Sequence, residues 1–440
     1  MPALRLTRSS LACFLALSAC ADPGESADAA DSSGTGGTTA AVADGSSTGL
    51  GSMDESTGGA GSTSGSTGEA DESSGGETAG GETTGGEADP LPGLDPGPHL
   101  GMIVGFEEPA PGTEAEVQGH WDDAVAAGMD IGRVQVDWAD LEPAPGEYAL
   151  EDLVEAMEAL QEDDLQIMVT LSTIDSLEYT MPDDLGDPDD PLALADGMAF
   201  DDPIVTERFA ALLDEVVPVV AAHGGFLISV GNEPDNHFEE NPAFAAEVAG
   251  FTAAAREHAA TVDPAVAISM TLTYGSVDTY DVSDQVVDAM DVVTFNLYCQ
   301  GEDGDVLQAD SVAARVSAML DTADGKPVVV QELGCPAGWD DMPTTIAASP
   351  ENQATFFEAF AEQMQVQPQL RAAFIFQMLD WSPALTQLFA EELEAGGFDQ
   401  ATIDLFTESL GTIGLCHWTD ATCRPAWDVV LEAMTAFRAR

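Results

Sequence analysis

Two glutamates stand where buried apolar runs give way to polar sequence. Glu233 follows the run in "FLISVGNEP", and Glu332 lies near the end of "PVVVQELG". Bulky and β-branched residues favour strands in both runs, and Pro234 has no N–H with which to continue a strand ladder. Two such carboxylates can divide acid and base work, because one that keeps its proton is an acid while an ionised one is a nucleophile or base.

Apolar runs alternate with amphipathic helical stretches from about residue 98 onward. Near-continuous apolar strands of this kind fit a parallel sheet covered by helices. About eight such units in roughly 340 residues predict an α/β fold, the (β/α)₈ or TIM barrel. A doubly wound sheet shares the alternation but usually carries a glycine-rich phosphate turn after its first strand, which "VGFEEPAPG" lacks. The predicted strands are LGMIVGF, IGRVQVDW, LQIMVTLS, FLISVGN, VAISMTL, VVTFNLY, PVVVQEL and AAFIFQML.

A barrel would bring the two glutamates to one cleft. Glu233 ends the fourth predicted strand and Glu332 the seventh, and these strands face each other roughly across the barrel mouth, where the carboxyl ends of the strands open into loops. Two carboxylates on one cleft are what glycoside hydrolysis requires. That chemistry needs no organic cofactor and no metal, and we predict neither.

The motifs around both glutamates resemble those of glycoside hydrolase clan A, the retaining glycosidases that include family 5, cellulases, mannanases and β-xylosidases. "GNEP" matches the acid/base motif and "QELG" the nucleophile strand. The resemblance implies that Glu233 is the acid/base, that Glu332 is the nucleophile and that Asn232 binds the sugar 2-hydroxyl. It covers nearly all of residues 98–440 and implies a polysaccharide or oligosaccharide substrate.

Other strand ends carry the resemblance further. "GRVQVDWADLEPAPGEY" resembles the clan's second strand and following loop, which implies that Arg133 contacts the nucleophile and keeps it ionised. Tyr298 stands where clan members place a tyrosine that bonds the nucleophile. Trp381 is the candidate sugar platform after the eighth strand, with Phe376 as the alternative if the register differs. A structural ion pair for Arg133, and core positions for Tyr298 and Trp381, are the competing interpretations.

Further residues are candidates for contacts with the sugar. Trp138, His237 and Trp339 are predicted contacts, because aromatic faces stack on the apolar face of a pyranose. Asn296 departs from the clan, whose members often carry histidine two residues before the tyrosine. Asparagine cannot titrate, so the hydrogen bonding around the nucleophile is expected to differ.

Two other functions compete with hydrolysis by paired carboxylates. A catalytically inactive, cell-surface glycan-binding barrel would keep the cleft without turnover, and Asn296 is its support in the sequence. A metal-dependent barrel hydrolase would need clustered His and Asp at strand ends, whereas the six histidines are scattered and none forms an HxH pair. The acidic stretch 181–203 could coordinate Ca²⁺ through carboxylates, but it lacks the spacing of a known calcium loop, and a loop at the rim of the cleft is favoured.

The cysteines indicate export and two disulfides. Cys299, Cys335, Cys416 and Cys423 are an even set outside the N-terminal segment and allow three pairings. Cys299 follows the sixth strand and Cys335 the seventh, which would be neighbours, while Cys416 and Cys423 are close in the chain. We therefore predict Cys299–Cys335 and Cys416–Cys423, over a Cys₄ metal site that would ordinarily show a CxxC pair.

The N-terminus has the layout of an export signal. Basic residues precede the apolar run "LACFLALSAC", which is too short to span a bilayer. "LSAC" resembles the bacterial lipoprotein signal, which implies a signal peptide over 1–19 and a lipid on Cys20; an ordinary secreted protein is the alternative. Residues 20–97 are rich in Gly, Ser, Thr and acidic residues and predict a disordered linker ahead of a hydrolase-like barrel domain over 98–440.

Charge limits the partners that the chain can have. The net charge is −69, from 80 acidic and 11 basic residues. Coulomb repulsion opposes binding to nucleic acid or an anionic membrane surface. We expect a monomer whose contact with a membrane is through the N-terminal lipid alone, on the extracytoplasmic side.

Overall fold

The computed structural model describes residues 91–440, apart from 177, 188–189, 239–240, 280–282, 301–305, 307–308, 339–347 and 440. The predicted signal peptide, Cys20 and the linker as far as residue 90 lie outside these residues. Trp339 also lies outside them.

The described part of the chain contains a closed barrel of eight parallel strands. β1 pairs with β2 and β8, and β3 pairs with β4, so the sheet has no open edge between its first and last strands. These strands overlap all eight predicted runs and confirm the TIM barrel. They are β1 His99–Met102, β2 Ile131–Asp137, β3 Gln166–Ser172, β4 Gly225–Asn232, β5 Ala267–Thr273, β6 Val293–Tyr298, β7 Val328–Gly334 and β8 Leu370–Ile375.

Helices cover the outside of the barrel, and their apolar residues recur at helical spacing. Val205, Phe209, Leu212 and Val216 of one long helix are all buried, as expected for an amphipathic helix packed on a sheet. The described helices are α1 Glu114–Ala127, α2 Trp138–Leu141, α3 Glu151–Gln161, α4 Pro203–Ala222, α5 Pro242–Val262, α6 Gly275–Thr279, α7 Ser283–Ala289, α8 Ala309–Thr322, α9 Pro350–Val366, α10 Pro383–Ala395, α11 Gln400–Leu410 and α12 Pro425–Arg438. Among the described residues, no helix combines the length and apolarity that crossing a membrane would take.

The loop after β3 adds short strands at the barrel mouth. Strand Ile174–Asp175 pairs with Glu178–Tyr179, and Asp175 also pairs with Asn232 at the end of β4. Within the acidic stretch 181–203, Gly186–Asp187 pairs with Asp190–Leu194. The β3 loop is thereby held beside the end of β4, where Glu233 follows.

The ordered domain begins before the predicted linker boundary. Leu91 and Leu94 are buried in a cluster with Phe226, the second residue of β4, and the Gln166 side chain donates to the Gly93 carbonyl. Residues 91–97, included in the linker by composition, therefore pack against the barrel because their two leucines cover its apolar amino-terminal end.

Both predicted disulfides are present. Cys299–Cys335 joins the segments that follow β6 and β7, and Cys416–Cys423 closes a short loop before α12. All four sulfurs are therefore oxidised in pairs, and a Cys₄ metal site is excluded.

β1 and β2 approach each other so closely at Gly101 that we predict no larger residue is tolerated there. A Cβ at Gly101 would lie 2.6 Å from the Ile131 carbonyl oxygen and 2.8 Å from the Phe374 ring. Gly101→Ala should therefore lower the free energy of unfolding by about 1–3 kcal/mol, measured by urea denaturation. Gly119→Ala is the matched control, because a Cβ there meets nothing within 4 Å in helix α1; it should stabilise by roughly 0.5–1 kcal/mol. Equal effects of the two substitutions would contradict this packing.

Candidate active site

Glu233 lies at the mouth of the barrel in a strained backbone conformation. β4 ends at Asn232, and Pro234 begins a 3₁₀ turn, Pro234–His237. Glu233 between them has φ 54° and ψ 43°, and its N–H donates to the Thr271 carbonyl at 2.8 Å. Left-handed non-glycine residues cost energy and cluster at functional sites. The side chain is 1% exposed, so the fold holds a buried carboxyl where a strand opens into a loop.

Glu332, on β7, is buried beside a cation. Arg133 Nη1 donates to its Oε1 at 3.0 Å, and the Tyr298 hydroxyl donates to its Oε2 at 2.5 Å. The Arg133 guanidinium is itself fixed by Thr170 and Gln135, each at 3.0 Å or less. An adjacent positive charge favours the ionised form of a carboxyl. The Arg133 guanidinium and the Tyr298 hydroxyl therefore fix the orientation of the Glu332 side chain.

Glu233 has a different set of partners, and the described contacts to its carboxyl oxygens come from neutral groups. Asn296 Nδ2 donates to Oε1 at 2.7 Å, and the Ser176 hydroxyl lies 2.7 Å from Oε2. Asn236 Nδ2 approaches Oε2 at 3.4 Å. Asn296 thus contacts Glu233 with its side chain, although its Cα lies beside that of Glu332 in the β6–β7 register. The asparagine at this position therefore takes part in the hydrogen bonding of Glu233.

Burial raises the pKa of Glu233 well above its usual range. The negative charge of Glu332 raises the pKa further, the hydrogen bonds from Asn296 and Ser176 lower it, and the charge of Asp235 raises it. Glu233 therefore keeps its proton at a pH where an exposed glutamate has lost it. The mouth therefore holds one buried carboxyl paired with a cation and a second whose pKa is raised, an unequal pair of the kind that acid-assisted nucleophilic substitution uses.

A network of amides connects the surroundings of the two glutamates. The Asn232 carbonyl oxygen accepts from Gln331 Nε2 at 2.9 Å and from Asn296 Nδ2 at 3.1 Å, and its amide donates to Asp175 at 2.9 Å. Gln135 Nε2 donates to the other oxygen of Asp175 at 3.0 Å. Because Gln135 also accepts from Arg133, the hydrogen bonds run continuously from the partner of Glu332 to the partners of Glu233.

The sequence analysis missed several members of this network. Ser176, Asp175, Gln135 and Gln331 were not candidates, although all four are polar residues within or just after apolar strands. Alternation was the available signal, since Arg133 and Gln135 are two apart in β2 and face the barrel interior together. Ser176 gave no comparable signal, because the contact depends on the fold of the β3 loop.

Two further acids lie near the mouth, Asp235, which is buried, and Glu178, which is half-buried. Burial raises the pKa of Asp235 to about 6, against hydrogen bonds from the hydroxyl and the N–H of Thr273. Burial, followed by the charges of Asp175 and Asp137, raises the pKa of Glu178 to about 7. Asp235 fastens the turn after Glu233 to the end of β5.

The predicted aromatic contacts occupy different positions from those expected. Trp138 is fully buried, with its indole N–H on Glu142 and its ring against Phe209. Trp381 is 3% exposed within an apolar cluster with Phe376, which is also buried. Both tryptophans differ from the expectation, since their faces are covered by neighbouring side chains instead of lining an open cleft. His237 is half-buried, with Nε2 2.6 Å from the Ser176 carbonyl oxygen.

Among the described residues, one group of side chains brings possible metal ligands close together. The cluster found there is His120 with Cys416 and Cys423, and both cysteines are in a disulfide. Thiolates are the form that binds metal, so this cluster is not a metal site.

Comparisons with known proteins show what the fold is similar to. In sequence, the chain matches no family model and no curated protein. In structure, it is similar to a GH5_18 variant from Streptomyces cattleya in complex with Manβ1-4GlcNAc (TM-score 0.57, 18% identity, 78% of this chain and 82% of that chain). It is also similar to the exo-β-1,4-mannosidase Op5Man5 from Opitutaceae bacterium strain TAV5 (TM-score 0.54, 16% identity, 78% and 60%).

A family 39 glycoside hydrolase from Bacteroides cellulosilyticus WH2 is a further neighbour (TM-score 0.51, 13% identity, 76% of this chain and 63% of that chain). These structural neighbours are glycoside hydrolases on a barrel of this type. At such identities the similarity establishes the fold.

The buried proton on Glu233 predicts how stability depends on pH. The folded protein binds this proton more tightly than the unfolded chain does, so wild-type stability falls as pH rises above the ordinary glutamate range. Glu233→Gln imitates the protonated side chain and cannot ionise, so its stability should not fall in this way as pH rises. Its free energy of unfolding should match that of wild type near pH 4 and exceed it near pH 8, with the difference growing as pH rises between them, measured by urea denaturation across that range.

The control for this measurement is Glu358→Gln, at an exposed position on α9, which should show no such pH dependence. A Glu233→Gln variant that is less stable than wild type at high pH would show that Glu233 is ionised in the folded protein.

Proposed function

We propose that the protein is a retaining glycoside hydrolase that acts on β-linked glycans. The supporting observation is the unequal environment of two buried carboxyls at one barrel mouth. Glu332 has Arg133 and Tyr298 on its oxygens, whereas Glu233 is buried among neutral donors and its pKa is raised. Glycoside hydrolysis uses such a pair, one as acid and the other as nucleophile.

The reaction proceeds in two displacements. The Glu332 carboxylate attacks the anomeric carbon, and the bond to the leaving oxygen breaks with its electron pair while Glu233 supplies the proton. Formation of the glycosyl ester removes the negative charge of Glu332, which is one cause of the raised pKa of Glu233. The pKa of Glu233 then falls, and the residue takes a proton from water as that water attacks the anomeric carbon. The bond from this carbon to Glu332 breaks with its electron pair, which restores the Glu332 carboxylate.

Neighbouring side chains orient the two glutamates. Arg133 and Tyr298 orient Glu332 and disperse its charge before attack. We assign Asn232 to the sugar 2-hydroxyl, at a position where Gln331 and Asn296 fix the direction of its amide. Among substrates, β-mannosides come first, because the neighbouring structures include a Manβ1-4GlcNAc complex and an exo-β-1,4-mannosidase.

We also propose that the protein is exported and held to a membrane by lipid on Cys20. The two disulfides support an oxidising compartment. The acidic, Gly/Ser/Thr-rich segment after Cys20 would then separate a monomeric barrel from the membrane surface.

Removal of either carboxyl tests the proposed function. On aryl β-glycosides, Glu332→Ala and Glu233→Ala should each lower kcat by about 10³-fold or more, because each removes a group that acts on the reacting bonds. Added azide distinguishes the roles: it should yield a β-glycosyl azide with Glu233→Ala and an α-glycosyl azide with Glu332→Ala. Product anomers are measured by NMR.

Glu358→Ala, at an exposed position on α9, is the matched control and should keep the wild-type rate. The proposal fails if either active-site variant retains full activity. It also fails if wild type releases no sugar from mannan, xylan, cellulose, β-1,3-glucan or Manβ1-4GlcNAc, and glycan binding without turnover would then favour a binding protein.

A further inference from the structure

Ser176 is held against Glu233 by its own backbone. The residue follows the short strand Ile174–Asp175, is fully buried and has φ 52°. Its N–H donates to the Asn232 carbonyl at 3.0 Å, and its carbonyl oxygen lies 2.6 Å from His237 Nε2. Asn232 immediately precedes Glu233, and His237 ends the turn that follows it. The β3 loop and the end of β4 therefore hold each other in a conformation that costs energy on both sides, since Glu233 is also left-handed.

The contacts to the two oxygens of Glu233 differ in kind. Oε1 faces Asn296 Nδ2, an amide nitrogen that can only donate. Oε1 is therefore the carbonyl oxygen when the acid is neutral, and the acidic hydrogen belongs on Oε2. Oε2 faces the Ser176 hydroxyl, which can accept a hydrogen bond as well as donate one.

We propose that Ser176 is a positioning residue that keeps the acidic hydrogen of Glu233 on Oε2 and remains its hydrogen-bond partner in both protonation states. Its hydroxyl accepts from the neutral carboxyl and turns to donate once the carboxylate has formed. The role in turnover rests on the proposed function; the contact and its effect on the proton do not.

During turnover the Ser176 hydroxyl would change from acceptor to donor as Glu233 loses its proton. The Oε2–H bond breaks as the hydrogen passes to the leaving oxygen, which departs with the electron pair of the glycosidic bond. Ser176 then donates its own hydrogen to the new carboxylate. In the second displacement Oε2 regains a proton from water, and the Ser176 hydroxyl turns back to accept.

The charged and titratable groups around Glu233 set the direction of the effect. Glu332 from β7 and Asp235 from the following turn both oppose its ionisation, and His237 Nε2 lies on the carbonyl oxygen of Ser176. A hydrogen bond to a carboxylate is stronger than one to a neutral carboxyl. Loss of the Ser176 hydroxyl therefore removes more from the ionised state than from the neutral one and raises the pKa of Glu233.

Two variants distinguish the effect of losing the Ser176 hydroxyl from the effect of changing the backbone conformation. Ser176→Gly and Ser176→Ala both delete the hydroxyl, but glycine also relieves the left-handed strain, because it has no Cβ. Ser176→Gly should be at least as stable as wild type, so a change in its chemistry does not reflect unfolding. Ser172→Ala, at the last residue of β3, is the control, since that hydroxyl donates to the Ile174 carbonyl and is not among the described contacts of Glu233.

The first readout is the titration of the Glu233 carboxyl, taken by infrared difference spectroscopy against Glu233→Gln. The titration midpoint should move upward by about half to one pH unit in both Ser176 variants and should not move in Ser172→Ala. The second readout is kcat/KM. Its alkaline limb should move to higher pH by the same amount, and alkyl glycosides should lose more activity than dinitrophenyl glycosides, whose leaving groups need no proton.

The inference is overturned if neither Ser176 variant moves the midpoint. It is also overturned if Ser176→Ala moves the midpoint and Ser176→Gly does not, because both variants lack the hydroxyl and differ only in their backbone strain. The titration does not require turnover, so a wild type that hydrolyses no glycoside would reject the proposed function, whereas the midpoints would still decide the role of Ser176.

Discussion

The site depends on the repulsion between two carboxyls buried at the mouth of one barrel. Two negative charges in a poorly solvated pocket destabilise each other, so only one of them can readily be ionised. The protein provides an ion pair with Arg133 for Glu332, whereas the described hydrogen-bond partners of the Glu233 carboxyl are neutral. Because the two carboxyls have different partners, Glu233 holds its proton more tightly than Glu332 does in this account. In the proposed reaction the same repulsion is released when Glu332 becomes an ester, so one interaction serves both displacements.

The barrel supplies the order that this pair needs. Inward-facing side chains of β2, β3, β4, β5 and β7 form a buried polar network in which the Gln331 carbonyl oxygen accepts from the hydroxyls of Thr170 and Thr271 while its amide donates to Asn232. Two hydroxyl donors lie at the carbonyl end of the Gln331 amide and the Asn232 carbonyl oxygen accepts at its NH₂ end, so the direction of this amide is fixed. A buried polar network with its members satisfied holds its side chains in one arrangement. Orientation at the mouth is therefore set deep inside the barrel.

The features that the sequence predicts correctly are those that depend on residues close together in the chain or on the order of the strands. All eight strands followed from apolar runs. Cys299–Cys335 followed from the order of those strands, and Cys416–Cys423 followed from the short distance between the two cysteines in the chain. Glu233 and Glu332 were found because a carboxyl at the end of a buried strand is conspicuous. The positions of Trp138 and Trp381 were not predictable, because burial depends on which side chains from distant segments, such as Phe209 or Phe389, cover a ring. Ser176 was missed for the same reason, since its contact with Glu233 arises from a loop conformation.

The protonation of the two glutamates is the central claim, and neutron diffraction from a crystal exchanged into D₂O at about pH 6 would observe it directly. The account predicts nuclear density for deuterium on Oε2 of Glu233, facing Ser176, and none on either oxygen of Glu332. Deuterium on Glu332, or none on Glu233, would contradict the account.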